Sequence, residues 1–87
     1  MDERQKTILR YVIEDYINFA TPVGSQSLAQ KYELGISPAT IRNEMMDLTE
    51  AGYLEQPHTS AGRIPTAKGY HFLVDVVMED IQDSNEA

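Results

Sequence analysis

The stretch SPATIRNEMMDLTEAG, residues 37–52, predicts a helix with well-marked ends and decides the fold. Ser37 is a good N-cap, Pro38 suits the first helical position, and Gly52 suits the left-handed position that closes a helix. The i, i+4, i+7 spacing predicts one buried stripe, formed by Ile41, Met45 and Leu48. The opposite face is small and polar, with one cation: it carries Ala39, Asn43 and Met46, flanked by Thr40 and Arg42.

The chain is one small domain by its length of 87 residues. A hydrophobic content of 41% is ordinary for a globular protein. No apolar run approaches the ~18–20 residues that cross a bilayer, and the charged N-terminus is unlike a signal peptide. The absence of cysteine excludes disulfides, thiol nucleophiles and thiolate metal sites. We therefore expect a cytoplasmic protein with no membrane segment and no cofactor.

The net charge of −7 argues at first against a nucleic-acid partner. The distribution of charge matters more than the sum, however, and two segments contain no acid. Residues 34–43 contain Arg42, and residues 56–74 contain Arg63, Lys68 and both histidines. The acids gather in other segments, at 2–3, 14–15, 44–55 and 75–86. Two basic segments are thus expected within an acidic chain.

Two further helices are predicted ahead of residue 37. Residues 3–19 carry a wide apolar stripe, and Asp2 with Gln5 resembles a capping box. The stripe consists of Ile8, Leu9, Val12, Ile13, Tyr16 and Ile17. PVGS is interpreted as a connector, and Ser25 as the cap of a short second helix. Its inward residues are predicted to be Leu28, Ala29 and Tyr32, and Gly35 supplies a tight turn before the next helix.

After Gly52 the pattern changes to a hairpin and a last helix. YLEQ and RIPT are predicted as short strands joined by the turn-rich PHTSAGR, with Pro65 restricting its strand to a sheet edge. Thr66 is the predicted cap of the final helix, in which Gly69 indicates a close approach by another element. The predicted apolar stripe of this helix consists of Tyr70, Leu73, Val74, Val77 and Ile81.

The predicted fold is mainly α with a small β-hairpin: a winged helix-turn-helix in the order helix, helix, helix, strand, wing, strand, helix. We assign residues 1–78 to this domain. Residues 79–87 form an acidic C-terminal tail, interpreted either as a frayed helix end or as the start of a connection to a missing domain.

A helix-turn-helix suits DNA because its second helix fits the ~12 Å major groove and its N-terminal residues reach base edges. Arg42 can donate to guanine, Asn43 can pair with adenine, and a thymine methyl can pack on Ala39 or Thr40. Ser37 can contact a phosphate in addition to capping the helix. The wing offers further donors to the backbone or minor groove: His58, Thr59, Ser60 and Arg63, followed by Lys68 in the first turn after the wing.

The segment PVGSQSLAQKYELGISPATIRNEMMDLTEAGYLEQPHTSAGRIPTAKGY resembles the N-terminal DNA-binding domain of the HrcA family, the heat-inducible transcription repressors of bacteria. PVGS, the wing EQPHTSAGRIPT and KGY together are the particular part of this resemblance. The family's recognition helix corresponds to Ser37, Ala39, Thr40, Arg42 and Asn43, and its wing to His58, Thr59, Ser60 and Arg63.

The resemblance implies a repressor that binds double-stranded DNA at an inverted-repeat operator called CIRCE, upstream of chaperone genes. Family members normally continue into a larger region that dimerises and responds to the chaperonin GroEL. That region is absent from this sequence, which leaves two interpretations open: an excised domain or a short relative. The resemblance therefore implies a homodimer and a chaperonin partner only for the longer proteins.

Other interpretations of the same residues stay open. Thr40, Arg42 and Asn43 would also suit a solvated helix face, and Arg63 a simple turn. The acidic surface of a winged helix could instead bind a basic protein partner. His58 and His71 lack the spacing of a metal site, and we expect no metal. We expect no enzyme either, since the chain has no glycine-rich phosphate loop and no nucleophile with a matching base.

Overall fold

The computed structural model describes residues 1–85, and within this part of the chain four helices and one hairpin follow the predicted order. The helices are α1 (Glu3–Phe19), α2 (Ser25–Lys31), α3 (Pro38–Glu50) and α4 (Ala67–Asn85). The strands are β1 (Leu54–Glu55) and β2 (Ile64–Pro65), which pair antiparallel with Leu54 opposite Pro65. The predicted winged helix-turn-helix is confirmed.

Helix α1 supplies the centre of the core. Its predicted stripe is correct for four residues that are 0–1% exposed: Ile8, Leu9, Val12 and Ile13. Val23, Leu28 and Leu54 pack with them, together with the predicted α3 stripe of Ile41, Met45 and Leu48. The stripe is wrong at its end, because Ile17 is 61% exposed. Nothing in the described structure covers the last turn of α1 at that point.

The ends of α3 are built as the sequence predicts. The Ser37 hydroxyl accepts a hydrogen bond from the Thr40 amide at 3.2 Å, and Pro38 follows as the first helical residue. At the other end Gly52 has φ of +89°, and the Tyr53 amide donates to the Leu48 carbonyl at 2.9 Å. This pattern, a Schellman motif, satisfies carbonyls that the helix leaves free. It also turns the chain directly into β1.

Helix α2 is held against α1 by an ion pair between a buried carboxylate and a half-exposed lysine. Asp15 is 4% exposed, and its carboxylate accepts a hydrogen bond from Lys31 Nζ at 3.0 Å. Leu28 is fully buried below this pair, as predicted. The predicted cap is wrong, however: Gly24 occupies the N-cap position without a side-chain bond, and Ser25 is already the first helical residue. The extended backbone at Gly24 starts the helix one residue earlier.

The connector before α2 is part of the wing. Val23 is 1% exposed and forms a β-bridge with Arg63, with backbone hydrogen bonds of 2.9 Å in both directions. Gly62 permits this approach, since a Cβ there would lie 2.9 Å from the backbone of Pro22. PVGS therefore acts as a third partner of the hairpin and fixes the wing beside the helix-turn-helix.

Helix α4 begins where predicted and packs differently from prediction. The Thr66 hydroxyl accepts from the Gly69 amide, and Gly69 lies so close to the Tyr53 carbonyl that a Cβ would collide with it. The helix packs through Tyr70, Phe72 and Leu73, and the Phe72 ring meets that of Tyr53 edge-on at 5.8 Å.

The far half of α4 departs from the predicted stripe. Val74 and Val77 are 58% and 39% exposed, because α4 turns Phe72, Leu73 and Val76 toward α1 instead. Helix α4 continues to Asn85, whereas the side chains of residues 80–87, including Ile81, lie outside the described structure, as does the backbone of residues 86–87. The assignment of residues 79–87 to a tail stays a prediction. In the described residues no helix combines the length and apolar character that a bilayer requires.

Candidate nucleic-acid interface

The outer face of α3 is open to solvent. Ala39, Arg42 and Asn43 are exposed, and Met46 is 44% exposed one turn further along. Thr40 is half-buried at the edge of this face, where its hydroxyl lies 3.0 Å from that of Ser37. The predicted separation of α3 into a buried stripe and a free face is therefore confirmed.

The electrostatics of this face depend on where Glu44 points. Glu44 is the one acidic residue between Pro38 and Met46, and it is turned inward with an exposure of 8%. There it accepts a hydrogen bond from Arg4 of α1 at 3.3 Å. Arg42, in contrast, forms no ion pair or side-chain hydrogen bond with any residue that the structure describes. The first half of α3 consequently presents a free cation and no carboxylate.

A groove of about 680 Å³ runs between the start of α2, the outer face of α3 and the base of the wing. Two arginines line it, and no acidic side chain does. Its walls are formed by Gly24, Ser25, Gln26, Pro38, Ala39, Arg42, Met45, Met46, Gln56, Ala61, Gly62 and Arg63. The groove is therefore positively charged, although the whole chain has a net charge of −7.

The wing tip presents its polar side chains at the end of the hairpin. His58 and Thr59 are exposed, and the Ser60 amide donates to the Pro57 carbonyl at 3.3 Å to close the turn. The half-buried Ser60 hydroxyl accepts from the Gly62 amide at 3.0 Å. Ser60 therefore shapes the loop, whereas His58 and Thr59 are free to meet a partner.

Arg63 is engaged within the protein. Its Nε donates to the Thr49 hydroxyl of α3 at 3.1 Å, and its Nη1 donates to the Ala61 carbonyl at 2.7 Å. The side chain thus ties the wing to the recognition helix while it lines the groove beside Arg42. Its contact with DNA stays a prediction. Such a contact would use a guanidinium group that already donates hydrogen bonds to Thr49 and Ala61.

Lys68 lies at the opposite end of α3 from Ser37. Its Nζ donates to the Ala51 carbonyl at 2.8 Å and sits 4.5 Å from the centre of the Tyr53 ring. A cation at this position stabilises the C-terminal end of a helix dipole. A helix of 13 residues is about 20 Å long, so Lys68 is separated from the groove-lining start of α3. Its DNA contact also stays a prediction.

Nine of the twelve groove residues were not among the predicted contacts, and these nine include Ser25, Gln26, Met46 and Gln56. Ser25, Gln26 and Gln56 enter the site through the Val23–Arg63 bridge, which no local pattern indicates. The helical spacing places Met46 on the free face of α3. Its apolar side chain, however, did not indicate a contact with DNA.

The helix-turn-helix, the attached hairpin and the acid-free groove between them define a winged helix-turn-helix domain of the DNA-binding class. The family profile described as "Winged helix-turn-helix transcription repressor, HrcA DNA-binding" matches residues 1–79. The chain therefore belongs to the HrcA family, as the resemblance implied.

Relatives that carry the name heat-inducible transcription repressor HrcA are similar to nearly the whole chain. The protein of Carboxydothermus hydrogenoformans is 62% identical over 99% of this chain, and that of Desulforudis audaxviator is 67% identical over 91%. The chain spans 25% and 23% of their respective lengths. These relatives are named as transcription repressors rather than enzymes, in agreement with the sequence analysis.

The fold also matches a solved structure. A crystal structure at 2.2 Å resolution, described only as a hypothetical protein, superposes with a TM-score of 0.87 at 42% identity. The match covers 91% of this chain and 25% of that one.

Proposed function

We propose that this domain binds a specific DNA sequence for a heat-inducible transcription repressor, with α3 in the major groove and the wing beside it. The observation that carries the proposal is the acid-free groove, in which Arg42 is exposed and unpaired among the described residues. A phosphate-rich duplex is attracted to this surface, because fields near the contact outweigh distant charge that solvent screens.

Each part of the surface has a role in the proposal. Arg42 donates to guanine, Asn43 pairs with adenine, and Ala39 or Thr40 packs on a thymine methyl. The Ala39 amide at the start of α3, next to Ser37, meets a phosphate. The wing contacts the backbone or minor groove through His58, Thr59, Ser60 and Arg63, with Lys68 as an outlying phosphate contact.

The finer features of the family extend the proposal to the longer relatives. An inverted repeat such as CIRCE is the proposed operator, occupied by a homodimer whose copies lie about one helical turn, or a multiple of it, apart. A response to the chaperonin GroEL and a cytoplasmic location complete the proposal. These finer features are supported by the family membership rather than by a contact in this domain.

A salt-dependent binding titration tests the proposal. Labelled inverted-repeat duplex is titrated with the wild-type chain, with Arg42→Ala and with Arg10→Ala at several salt concentrations. Arg10 is a matched control, since it is a half-exposed arginine on α1 that pairs with Glu14 outside the groove. Loss of a bidentate arginine–guanine contact weakens binding by about 5- to 150-fold. Arg10→Ala should keep an affinity close to that of the wild type.

The alternative function is a protein-interaction module, which the net charge of −7 favours. It would be supported if the folded chain failed to bind any duplex at low salt. Equal weakening by the two arginine variants would also contradict the proposal, because it would indicate a general charge effect rather than a site.

A further inference from the structure

Met46 is a large apolar side chain that the core does not use. It is 44% exposed, whereas its neighbour Met45 is 3% exposed and packs in the core. Met46 lies on the same face of α3 as Ala39, Arg42 and Asn43, at the i, i+3, i+4, i+7 positions of one helical stripe. It also lines the groove at the base of the wing. The one large apolar side chain that α3 exposes therefore faces the surface assigned to DNA.

The chemistry of a duplex limits what such a side chain can contact. Base edges in the major groove present donors and acceptors, and the C5-methyl of thymine is the apolar group among them. A thioether side chain is flexible and polarizable, so it adapts well to a small apolar partner. A phosphate offers this side chain no favourable contact, and a donor on a base edge finds only the weak acceptor of the thioether sulfur.

We propose that Met46 is a specificity-determining residue that selects thymine through its C5-methyl. The inference rests on the proposed function, since it requires α3 to lie in the major groove. Removal of a methyl group from such an apolar contact weakens binding by about fourfold.

The helix geometry fixes where this thymine should lie. Residues rise by about 1.5 Å along a helix, so Met46 is roughly 4.5–6 Å further along the axis than Asn43 and Arg42. Successive bases on one strand are about 3.4 Å apart. The thymine should therefore lie about one to two base pairs from the bases that Arg42 and Asn43 contact, on the side away from the Ala39 contact.

A cycle of protein and DNA substitutions tests the assignment. The wild-type chain first selects its preferred duplex from a random library, and each thymine of that duplex is then replaced in turn by uracil, which lacks the methyl. The affinities of wild-type, Met46→Ala and Met78→Ala chains are measured for every duplex. Met78 is the matched control, because it is 50% exposed on α4 and does not line the groove.

We expect one uracil position at which the wild type and Met78→Ala lose about fourfold and Met46→Ala loses nothing. Discrimination that is equal in wild type and Met46→Ala at every position would overturn the role of Met46 and leave the proposed function intact. Failure of the wild type to select any duplex would overturn both. Circular dichroism checks that Met46→Ala keeps the fold, which an exposed position predicts.

Discussion

Ala20 ends α1 in the left-handed region, with φ of 55° and ψ of 29°. Its amide donates to the Tyr16 carbonyl at 2.7 Å, so the conformation is fixed by the helix end. An L-residue pays a steric cost of about 1–2 kcal/mol there because its Cβ approaches the following carbonyl oxygen. Glycine is the usual residue at such a position, so the folded protein is less stable with Ala20 than it would be with glycine.

Ala20→Gly should raise the free energy of unfolding by about 0.5–1 kcal/mol, the steric gain being partly offset by the greater freedom of glycine in the unfolded chain. Thermal unfolding should show an increase in Tm of roughly 2–8 °C. Ala51→Gly is the matched control, since Ala51 ends α3 with φ of −77° and should lose stability on the same change. Equal effects of the two substitutions would contradict the argument.

Two described tyrosines, Tyr70 and Tyr32, have a raised pKa, and Tyr32 is the one whose hydroxyl lies beside a carboxylate. Burial raises its pKa above the ordinary value of 10.0, and the Asp15 carboxylate, 3.5 Å from the hydroxyl, raises that pKa further. The neutral form is thus favoured in the folded state. This stability is complete below pH 10.0, the ordinary pKa, and is lost as the pH rises through the higher folded pKa.

Urea unfolding of the wild type and Tyr32→Phe over a series of alkaline pH values should show a smaller loss of stability in the variant. Phenylalanine keeps the ring that stacks on Tyr11 at 4.2 Å, so the comparison isolates the hydroxyl. Parallel losses in the two proteins would show that another group sets the alkaline limit.

At the scale of elements, the packing of α4 depends on Gly69. The Tyr53 carbonyl, which also accepts a hydrogen bond from the Thr66 amide at 3.1 Å, occupies the space of a Cβ. Alanine has the better helix propensity by about 1 kcal/mol, so propensity and packing predict opposite signs for Gly69→Ala.

We expect packing to dominate, with Gly69→Ala less stable than the wild type by about 1–3 kcal/mol in chemical denaturation. The near-ultraviolet signal of the tyrosines should change as well, because the displaced helix separates Phe72 from Tyr53. A neutral or stabilising result would mean that α4 can shift without cost.

A cap, turn or helix could be predicted where the residues that determine it lie close together in the sequence. The caps of α1, α3 and α4, the left-handed Gly52 and the period of the α3 stripe follow from neighbouring residues and were confirmed, whereas the predicted cap of α2 was wrong. The exposure of Ile17, Val74 and Val77 was not predictable, because a periodic stripe reveals neither where its partner ends nor which side of the helix the partner covers. The pairing of Val23 with Arg63 joins segments far apart in sequence, so no local pattern encodes it.

At the scale of the whole molecule, a negative net charge is compatible with a basic groove because the acidic side chains lie outside the groove. Asp15 and Glu44 are buried against Lys31 and Arg4, and Asp75 and Glu79 are exposed on α4. The free face of α3 was predictable from helical period. The internal bonds of Arg63 and Lys68 were not, since they depend on how the wing and α4 pack against α3.

Neutralising the exposed acids of α4 should strengthen DNA binding in low salt. A unit charge about 20 Å away contributes about 0.2 kcal/mol in water, so Asp75→Asn with Glu79→Gln should raise affinity by about twofold. The gain should vanish at high salt, where the Debye length falls to about 3 Å at 1 M. Fluorescence anisotropy at two salt concentrations measures both values. A gain that persists in high salt would indicate a direct contact of these acids with DNA.

The double hydrogen bond between Val23 and Arg63 makes the wing and the connector a single cooperative unit. Separation of the connector from the wing breaks both hydrogen bonds at once. The amides of Val23 and Arg63 therefore become exposed to solvent together. The wing is therefore not an independent flap that samples DNA alone. Its position is set by the segment that starts the helix-turn-helix, so the two parts keep one orientation relative to each other.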